Sequence, residues 1–222
     1  MAKKNPNSMI FVFLDRCGGG NHTGFRKKGM KPFTKSEIIS LVVIFLVLIA
    51  VALPKFATSL KLSRDQIRRD DMGALNHAFD EYLAEFNNAL PAATVDGRII
   101  DCLAPGDKPV KNANGGWNYN PVPCEWGKDA FTNLITGEVY ISHLPTDPDY
   151  QKGVSYLYLT DGNRYQIYAS MEDKSEPEVD PKIIARNLSC GTRICNMGRS
   201  YNVPTDISIE AYDQMLLEKA NK

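Results

Sequence analysis

The sequence of 222 residues predicts an α+β protein, in which one long N-terminal α-helix precedes a small antiparallel β-sheet head with disulfides. An apolar run over residues 38–53 leads into a polar segment with helical periodicity. Alternating strand patterns separated by turn residues follow that segment. Four cysteines lie beyond the apolar run, and an even set in an exported domain indicates disulfides.

The first half of the predicted helix is long enough to cross a membrane. Ile38 to Leu53 contains Ser40 as its single polar residue, and a span needs about 20 residues. Including residues 33–37 supplies the length but brings Lys35 and Glu37 to the edge of the hydrocarbon. Lys35 can extend to the headgroups, whereas an ionisable residue such as Glu37 indicates a functional site. An ordinary signal-anchor helix with an interfacial Glu is the alternative.

The second half of the helix is predicted to be amphipathic and to continue to about Asn88. Its apolar side chains fall on one stripe, which consists of Leu75, Phe79, Tyr82 and Phe86. Asp65 precedes Arg69 by four residues, in the favourable order for an ion pair. Pro54 is expected to kink the helix, because proline removes an intrahelical donor.

The head is predicted to be an antiparallel meander with the amphipathic helix covering one face. Residues 137–142 alternate in polarity. Residues 155–160 and 164–169 alternate as well, and Asp161-Gly162-Asn163 lies between them. An Asp-Gly pair between alternating runs is a strong hairpin signal. The chain therefore divides into a leader or cytoplasmic segment (1–32), the long helix (33–88, with 33–54 transmembrane and 55–88 amphipathic) and an extracytoplasmic head (89–222).

Cysteine spacing bears on the chemistry of the head. Cys17 lies in the leader, which leaves Cys102, Cys124, Cys190 and Cys195. Cys190 and Cys195 can close a small loop while Cys102 bridges Cys124, and the other two connectivities remain open. A four-cysteine zinc site is the alternative, although neither pair has the tight C-x2-C form of zinc ribbons.

Several motifs resemble those of type IV pilins and type II secretion pseudopilins. Phe33, Glu37, the apolar run and Ala52-Leu53-Pro54 resemble the family's FTLxEL, apolar stretch and ALP. The following turns, from Arg64 to Tyr82, resemble its RDxxRxxDxxALxxAxxxY continuation. The stretch from Leu144 to Asp161-Gly162 is similar to the LPxDP and tyrosine-rich hairpin of major pseudopilins.

The resemblance implies a pilin-like fold and an assembly mechanism. In the family a prepilin peptidase cuts before the Phe, the new α-amine is methylated, and the Glu of one subunit meets the amine of its neighbour. Here those groups are the Phe33 amine and Glu37 of different subunits. Pro54 belongs to the same assembly segment. An α-amine is largely protonated at neutral pH, and burial beside a carboxylate should keep both groups charged.

The resemblance also implies partners and a location. The expected partners are further copies in a helical filament, other pilin-like subunits, prepilin peptidase, an inner-membrane assembly platform and membrane lipid. The expected location is the cytoplasmic membrane, crossed once, with the C-terminal head outside the cytoplasm. Assembled subunits would lie in a cell-surface filament or in a pseudopilus that serves protein transport.

The processing site departs from the family pattern. The family cleaves after Gly, whereas Pro32 precedes Phe33, and proline fixes φ and lacks an N–H. Cleavage after Gly29 would leave Met30 as the first residue and displace the amine from Glu37. A chain that starts at Met30 is a further alternative.

Metal binding and catalysis have few candidates. Related major pseudopilins bind calcium with loop carboxylates, and Asp147 and Asp149 are the candidates here, although calcium takes six or more oxygens. A turn in which Asp caps backbone groups before proline is the alternative. No motif supplies a nucleophile to His22, His77 or His143, so we expect no enzyme activity and no cofactor other than calcium.

The sequence therefore predicts a structural subunit of a type IV pilus or a type II secretion pseudopilus. The alternative is a single-pass membrane-anchored adhesin or binding module that does not polymerise. A net charge of zero and a pI near 6.8 argue against nucleic acid as an obligate partner.

Overall fold

The computed structural model describes residues 34–221, and of Pro54 only the backbone. The described residues fall into two compact units, one that ends at Leu48 and one that begins at Ile49. The first helix, α1 (Lys35–Glu85), begins in the first unit and ends in the second. The helix continues through Pro54 without a break, and the kink expected there stays a prediction.

The second unit is built around the polar half of α1, which carries a buried apolar stripe. Leu75, Phe79 and Tyr82 are at most 6 % exposed, and Phe86 packs against the same core. The stripe predicted from the sequence is confirmed. Residues three and four apart lie on one helix face, so this spacing puts all four side chains against the head.

The strands of the head are short and form five small antiparallel sheets among the described residues. Sheets of three strands have the orders β1-β2-β5 and β12-β9-β8; the sheets of two strands are β3-β4, β6-β7 and β10-β11. The strands are β1 (Ala92–Ala93), β2 (Ile99–Cys102), β3 (Val110–Lys111), β4 (Trp117–Asn118), β5 (Val122–Pro123), β6 (Phe131–Thr132), β7 (Val139–Ile141), β8 (Leu157–Thr160), β9 (Tyr165–Ala169), β10 (Ser189–Cys190), β11 (Arg193–Ile194) and β12 (Met197–Tyr201).

The predicted hairpin is β8 and β9. Leu157 lies opposite Tyr168, and Thr160 lies opposite Tyr165. In the turn, one carboxylate oxygen of Asp161 accepts the N–H groups of Asn163 at 2.8 Å and Arg164 at 2.7 Å. Gly162 adopts a φ of 92°, which glycine tolerates without steric cost. Local side-chain acceptors and a glycine thus fix the register of this pair.

Two shorter helices and one 3-10 turn complete the head. They are the 3-10 turn Tyr150–Lys152, α2 (Pro181–Ala185) and α3 (Ile209–Ala220). Asp180 caps α2 by accepting from the Lys182 N–H, and Ser208 caps α3 by accepting from the Ala211 N–H. Each cap satisfies an N–H that the first helical turn leaves unpaired.

Aromatic side chains fill the core between α1 and the sheets. Phe79 stacks on Tyr158 with ring centroids 4.9 Å apart and meets Phe131 edge-on at 5.5 Å. Tyr82 stacks on Phe131 at 5.3 Å. The core of the second unit is therefore shared between the polar half of α1 and the strands, and this half of the helix is part of the folded head.

Candidate functional site

The N-terminus of α1 is closed by a reciprocal pair of hydrogen bonds. A carboxylate oxygen of Glu37 accepts from the backbone N–H of Thr34 at 2.8 Å, and the Thr34 hydroxyl accepts from the N–H of Glu37 at 3.4 Å. This arrangement is a capping box, whose sequence form is Ser or Thr followed three residues later by Glu or Gln. Thr34-Lys35-Ser36-Glu37 carries that signal, which the sequence interpretation of Glu37 missed.

The geometry gives Glu37 a role within its own chain. A carboxylate in the first turn also interacts favourably with the positive end of the helix dipole. Phe33, the expected partner of Glu37 from another subunit, lies outside the described residues, as do Cys17 and His22. The pairing of Glu37 with a neighbouring amine stays a prediction.

The apolar segment that follows Glu37 is exposed along its whole length. Except for the half-buried Ile49, every Val, Leu, Ile and Phe side chain from Ile38 to Leu53 is 50 to 64 % exposed. Among the described residues, α1 is the one helix long and apolar enough to cross a membrane, with a mean hydropathy of 2.8 over its most apolar window. An uninterrupted apolar surface of this size requires lipid or protein partners.

The polar half of α1 is bound to the head by a buried arginine. Arg68 is fully buried, and its Nε and Nη2 donate to the two carboxylate oxygens of Asp147 at 2.7 and 2.8 Å. Its Nη1 donates to Asp65 at 2.8 Å and to Glu172 at 3.2 Å, and Nη2 also donates to Asp149 at 3.3 Å. We call these five residues the Arg68 centre.

Further contacts connect the Arg68 centre to the backbone of the head. The two oxygens of Asp65 accept the N–H groups of Glu172 and Asp173, each at 2.9 Å. Arg64, one turn earlier on α1, donates to Glu172 at 2.7 Å. The charges of these side chains are thus paired and their polar atoms are hydrogen-bonded. These two conditions keep the desolvation free energy of buried charges low.

The charge state of the Arg68 centre follows from these contacts. Burial alone would lower the pKa of Arg68, but the hydrogen bond and charge of Asp147, together with Asp65 and Glu172, raise it above its ordinary value. Burial would raise the pKa of Asp149, yet the hydrogen bond from Lys152 and the charges of Arg193 and Lys152 lower it to about 2. Arg68 and Asp149 are therefore both ionised at neutral pH.

The two carboxylates proposed for calcium are committed to cations of the protein. Asp147 binds Arg68 in a bidentate manner, and Asp149 accepts from Arg68, Arg193 and Lys152. Within residues 34–221 no group of three or more His, Cys, Asp or Glu side chains could hold a metal ion. Calcium binding at Asp147 and Asp149 stays a prediction that would require these ion pairs to rearrange.

The four cysteines of the head form two disulfides. Cys102 pairs with Cys124, and Cys190 pairs with Cys195. This is the first of the three connectivities that the spacing allows. Cys102 and Cys124 belong to the core that includes α1, whereas Cys190 and Cys195 belong to a smaller apolar cluster together with Leu157 and Tyr168.

The described histidines have local partners. His77 is exposed on α1 and lies 3.5 Å from Glu81. The Nδ1 of His143, also exposed, lies 3.4 Å from the carbonyl oxygen of Lys128. Asp147, the carboxylate nearest to His143 in sequence, is engaged by Arg68. These contacts are those of surface histidines.

One comparison with known proteins bears on the family. The chain is 28 % identical to "Type II secretion system core protein G" of Pseudomonas aeruginosa over 153 residues, which cover 68 % of this chain and 89 % of that protein. The similarity supports assignment to the pilin and pseudopilin family. No family model matches the chain, and no solved structure matches it. At the family level the similarity supports a pilin-like structural subunit, and the apolar half of α1 fits a membrane-anchored protein.

The sequence did not reveal that the residues of the Arg68 centre form a buried set of ion pairs. Arg64, Asp65 and Arg68 all lie in the segment that resembles the family's RDxxR motif. The motif predicts a functional segment, but the buried ion pairs of Arg68 depend on Asp147 and Glu172, which follow Arg68 by 79 and 104 residues.

Proposed function

We propose that the chain assembles through its N-terminal helix into a type IV pilus or a type II secretion pseudopilus. Before assembly it is a single-pass protein of the cytoplasmic membrane with its head outside the cytoplasm. Prepilin peptidase processes it, and an inner-membrane platform passes it from the membrane into the filament. Similarity to a protein named as a secretion-system core component supports this proposal.

The observation that carries the proposal is the exposed apolar half of α1 with Glu37 at its start. In a monomer, lipid covers these side chains. In a filament, the same side chains of neighbouring subunits cover one another, so no apolar surface is returned to water during the transfer. The main free-energy cost of the transfer is the desolvation of Glu37, because a carboxylate that leaves the headgroup region needs a partner of opposite charge.

We propose that Glu37 exchanges one partner for another during assembly. In the isolated chain its carboxylate accepts from the Thr34 N–H. In the filament it also receives the α-amine of the neighbouring subunit, whose positive charge gives a stronger hydrogen bond than a neutral N–H. An anion held at the first turn by its own backbone is already oriented toward such a partner.

The Arg68 centre, together with Arg64, attaches the polar half of α1 to the head. Arg64, Asp65 and Arg68 bind residues 147, 149 and 172 of the head. Within the second unit, the head is thereby held to the polar half of α1, and a force on that part of the helix moves the head as well. This attachment suits a filament subunit, in which the helix packs against neighbouring helices and carries the head on the outside.

The proposal is tested with two variants of Glu37 that separate charge from capping. Glu37→Gln retains an acceptor for the Thr34 N–H, because Gln also serves in a capping box, but it removes the charge. Glu37→Ala removes both. We expect each variant to insert in the membrane at the normal level and to lower the yield of sheared filaments by about tenfold or more, since an unpaired buried charge costs several kcal/mol. Ser40→Ala, one turn further along, is the control and should assemble normally.

The outcomes distinguish assembly from anchoring. Normal filament yield from Glu37→Gln would show that the acceptor matters and the charge does not, which contradicts the pairing with an amine. If wild type, Glu37→Ala and Glu37→Gln are all membrane-bound and none forms filaments, the chain is a non-polymerising anchored module.

A further inference from the structure

A cleft of about 470 Å³ opens beside α1 on the head. Its lining includes Lys61 of α1, Lys174 and Arg193, together with the exposed apolar side chains Ile184 and Ile194. Glu172 is its single lining carboxylate. The cleft thus combines several cationic groups with an apolar wall.

The acceptors along the cleft are already used. Both oxygens of Glu172 accept from Arg64, and one also accepts from Arg68. The oxygen and nitrogen of the Asn196 amide are bonded to the backbone of Met171. The Ser170 hydroxyl donates to the carbonyl of Ile194. These groups hold the walls of the cleft together and leave little with which to bind a cation.

The donors along the cleft are available. Among the described residues, neither Lys61 nor Lys174 makes an ion pair within 4.0 Å. Hydrogen bonds from Ser175, and to a smaller extent the charge of Lys61, lower the pKa of Asp173. Arg193 donates to Asp149 through Nη2, and its Nη1 is buried without a hydrogen-bond partner among the described residues. A buried N–H group without an acceptor costs about 1 to 3 kcal/mol, so a ligand that supplies acceptors would be favoured.

We infer that this cleft binds a phosphate-group anion. A phosphate offers several acceptor oxygens and a charge that two ammonium groups and a guanidinium can share. The neighbouring Ile184 and Ile194 suit an organic substituent on the phosphate. An anionic phospholipid headgroup is one source, and free phosphate is the other.

The position of Lys61 along α1 favours the lipid as the source. Seven residues separate it from Pro54, where the apolar run ends, which is about 10 Å along a helix. The headgroup layer adds roughly 5 to 8 Å to the hydrocarbon, and a lysine side chain spans the remainder. This step rests on the proposed membrane anchoring, whereas the phosphate chemistry of the cleft does not.

The test uses the full chain in maltoside micelles and a matched pair of double variants. Lys61→Gln with Lys174→Gln removes the free charges of the cleft. Lys108→Gln with Lys219→Gln removes the same charge from exposed positions outside it. Inorganic phosphate is titrated by calorimetry, and native mass spectrometry counts retained phosphatidylglycerol against phosphatidylcholine. Urea unfolding of each protein verifies that the fold is intact.

We expect saturable phosphate binding by wild type, weakened about tenfold or more in the cleft variant and about twofold or less in the control. Preferential retention of phosphatidylglycerol, lost only in the cleft variant, assigns the lipid headgroup. Phosphate binding without that preference overturns the lipid source and leaves free phosphate. Absence of saturable phosphate binding, or equal losses in both double variants, overturns the proposal. Both measurements use the unassembled chain, so they do not depend on filament formation.

Discussion

The two halves of α1 belong to one helix, but the first half is largely exposed and the second half buries one of its faces. From Ile38 to Leu53 the Val, Leu, Ile and Phe side chains are at least half exposed, apart from Ile49. Between Asp65 and Leu83, by contrast, one face of the helix is buried, and that face carries charged side chains such as Asp65 and Arg68 as well as the apolar stripe. Residues 38–53 have Ser40 as their single polar residue, whereas the second half of the helix presents both an apolar stripe and a buried arginine.

The difference shows that one helix can serve two surroundings when its sequence changes period and polarity along its length. A uniformly apolar segment has no preferred face, so it can be covered by lipid and then by other helices. A segment with a stripe and a specific ion pair accepts one partner in one orientation. The first half is thus suited to changing partners, and the second half to keeping one.

The largest effect is expected when the second half of α1 is removed from the head. A fragment of residues 55–222 should fold cooperatively, whereas residues 89–222 should not, even though both contain every strand. The shorter fragment lacks the core residues Met72, Leu75, Phe79, Tyr82 and Leu83. At about 1.5 to 3 kcal/mol for each buried side chain, their loss is comparable with the whole stability of a domain, about 5 to 15 kcal/mol. Urea unfolding followed by circular dichroism measures this. A cooperative transition in residues 89–222 would show that the helix merely rests on a complete head.

The next largest effect is expected from Arg68. Arg68→Met leaves the carboxylates of Asp65 and Asp147 buried without their cation, which costs about 3 to 5 kcal/mol. Arg69 is the matched control, because it bonds Glu176 and Glu178 at a more exposed site. Arg69→Met should cost about 1 kcal/mol or less. Equal midpoints of urea unfolding for the two variants would contradict the importance assigned to the Arg68 centre.

The two disulfides allow a further comparison, because Cys102–Cys124 lies in the core that contains α1 and Cys190–Cys195 lies outside it. Replacing Cys102 and Cys124 by Ser opens a link across 22 residues and should cost about 3 kcal/mol. Replacing Cys190 and Cys195 opens a link across 5 residues and should cost about 2 kcal/mol. Unfolding of oxidised proteins gives both values. A larger loss from the second pair would show that chain entropy does not set the order.

A smaller, pH-dependent effect is expected from Asp101, which is 6 % exposed on β2 and has one oxygen without a hydrogen-bond partner among the described residues. Burial raises its pKa to about 7, against the smaller opposing effect of a hydrogen bond with Tyr82. The folded state therefore holds a proton that the unfolded state releases above its own pKa of about 3.9. Stability falls as pH rises from about 4 to about 7 and is then constant with respect to this group.

Asp101→Asn should remove that slope and stabilise the protein by roughly 1 to 3 kcal/mol at pH 8, with little effect at pH 4. Asp96→Asn, on the exposed turn before β2, is the control and should show no such gain. Urea midpoints across this range measure both variants. An Asp101→Asn protein whose stability follows the wild-type pH profile would contradict the burial of this carboxyl group.

Local signals in the sequence accounted for much of the fold. The stripe on α1, the Asp161-Gly162 turn and the spacing of the cysteines each act over a few residues, and the structure contains all of them. Helix α3 was missed, although Ser208 followed by strong helix formers gives a usual start signal.

The Arg68 centre could not be predicted, because its partners are distant in sequence. The spacing allowed Asp65 to pair with Arg69, but the structure pairs Asp65 with Arg68 and gives Arg69 to Glu176 and Glu178. Residues three and four apart are equally good neighbours on a helix. Which arginine pairs with Asp65 therefore depends on the head, where the backbone of Glu172 and Asp173, more than 100 positions later, binds the Asp65 carboxylate.

The central claim, that the first half of α1 changes partners by entering a filament, is tested most directly at the N-terminus of assembled protein. Surface filaments are sheared from cells, purified, and analysed by mass spectrometry of the intact chain. We predict that the filaments contain this chain with Phe33 or Met30 as the first residue and without Cys17, since both sites join the basic leader to the apolar helix. Recovery of the chain solely from the membrane fraction, with Cys17 retained, would contradict the account.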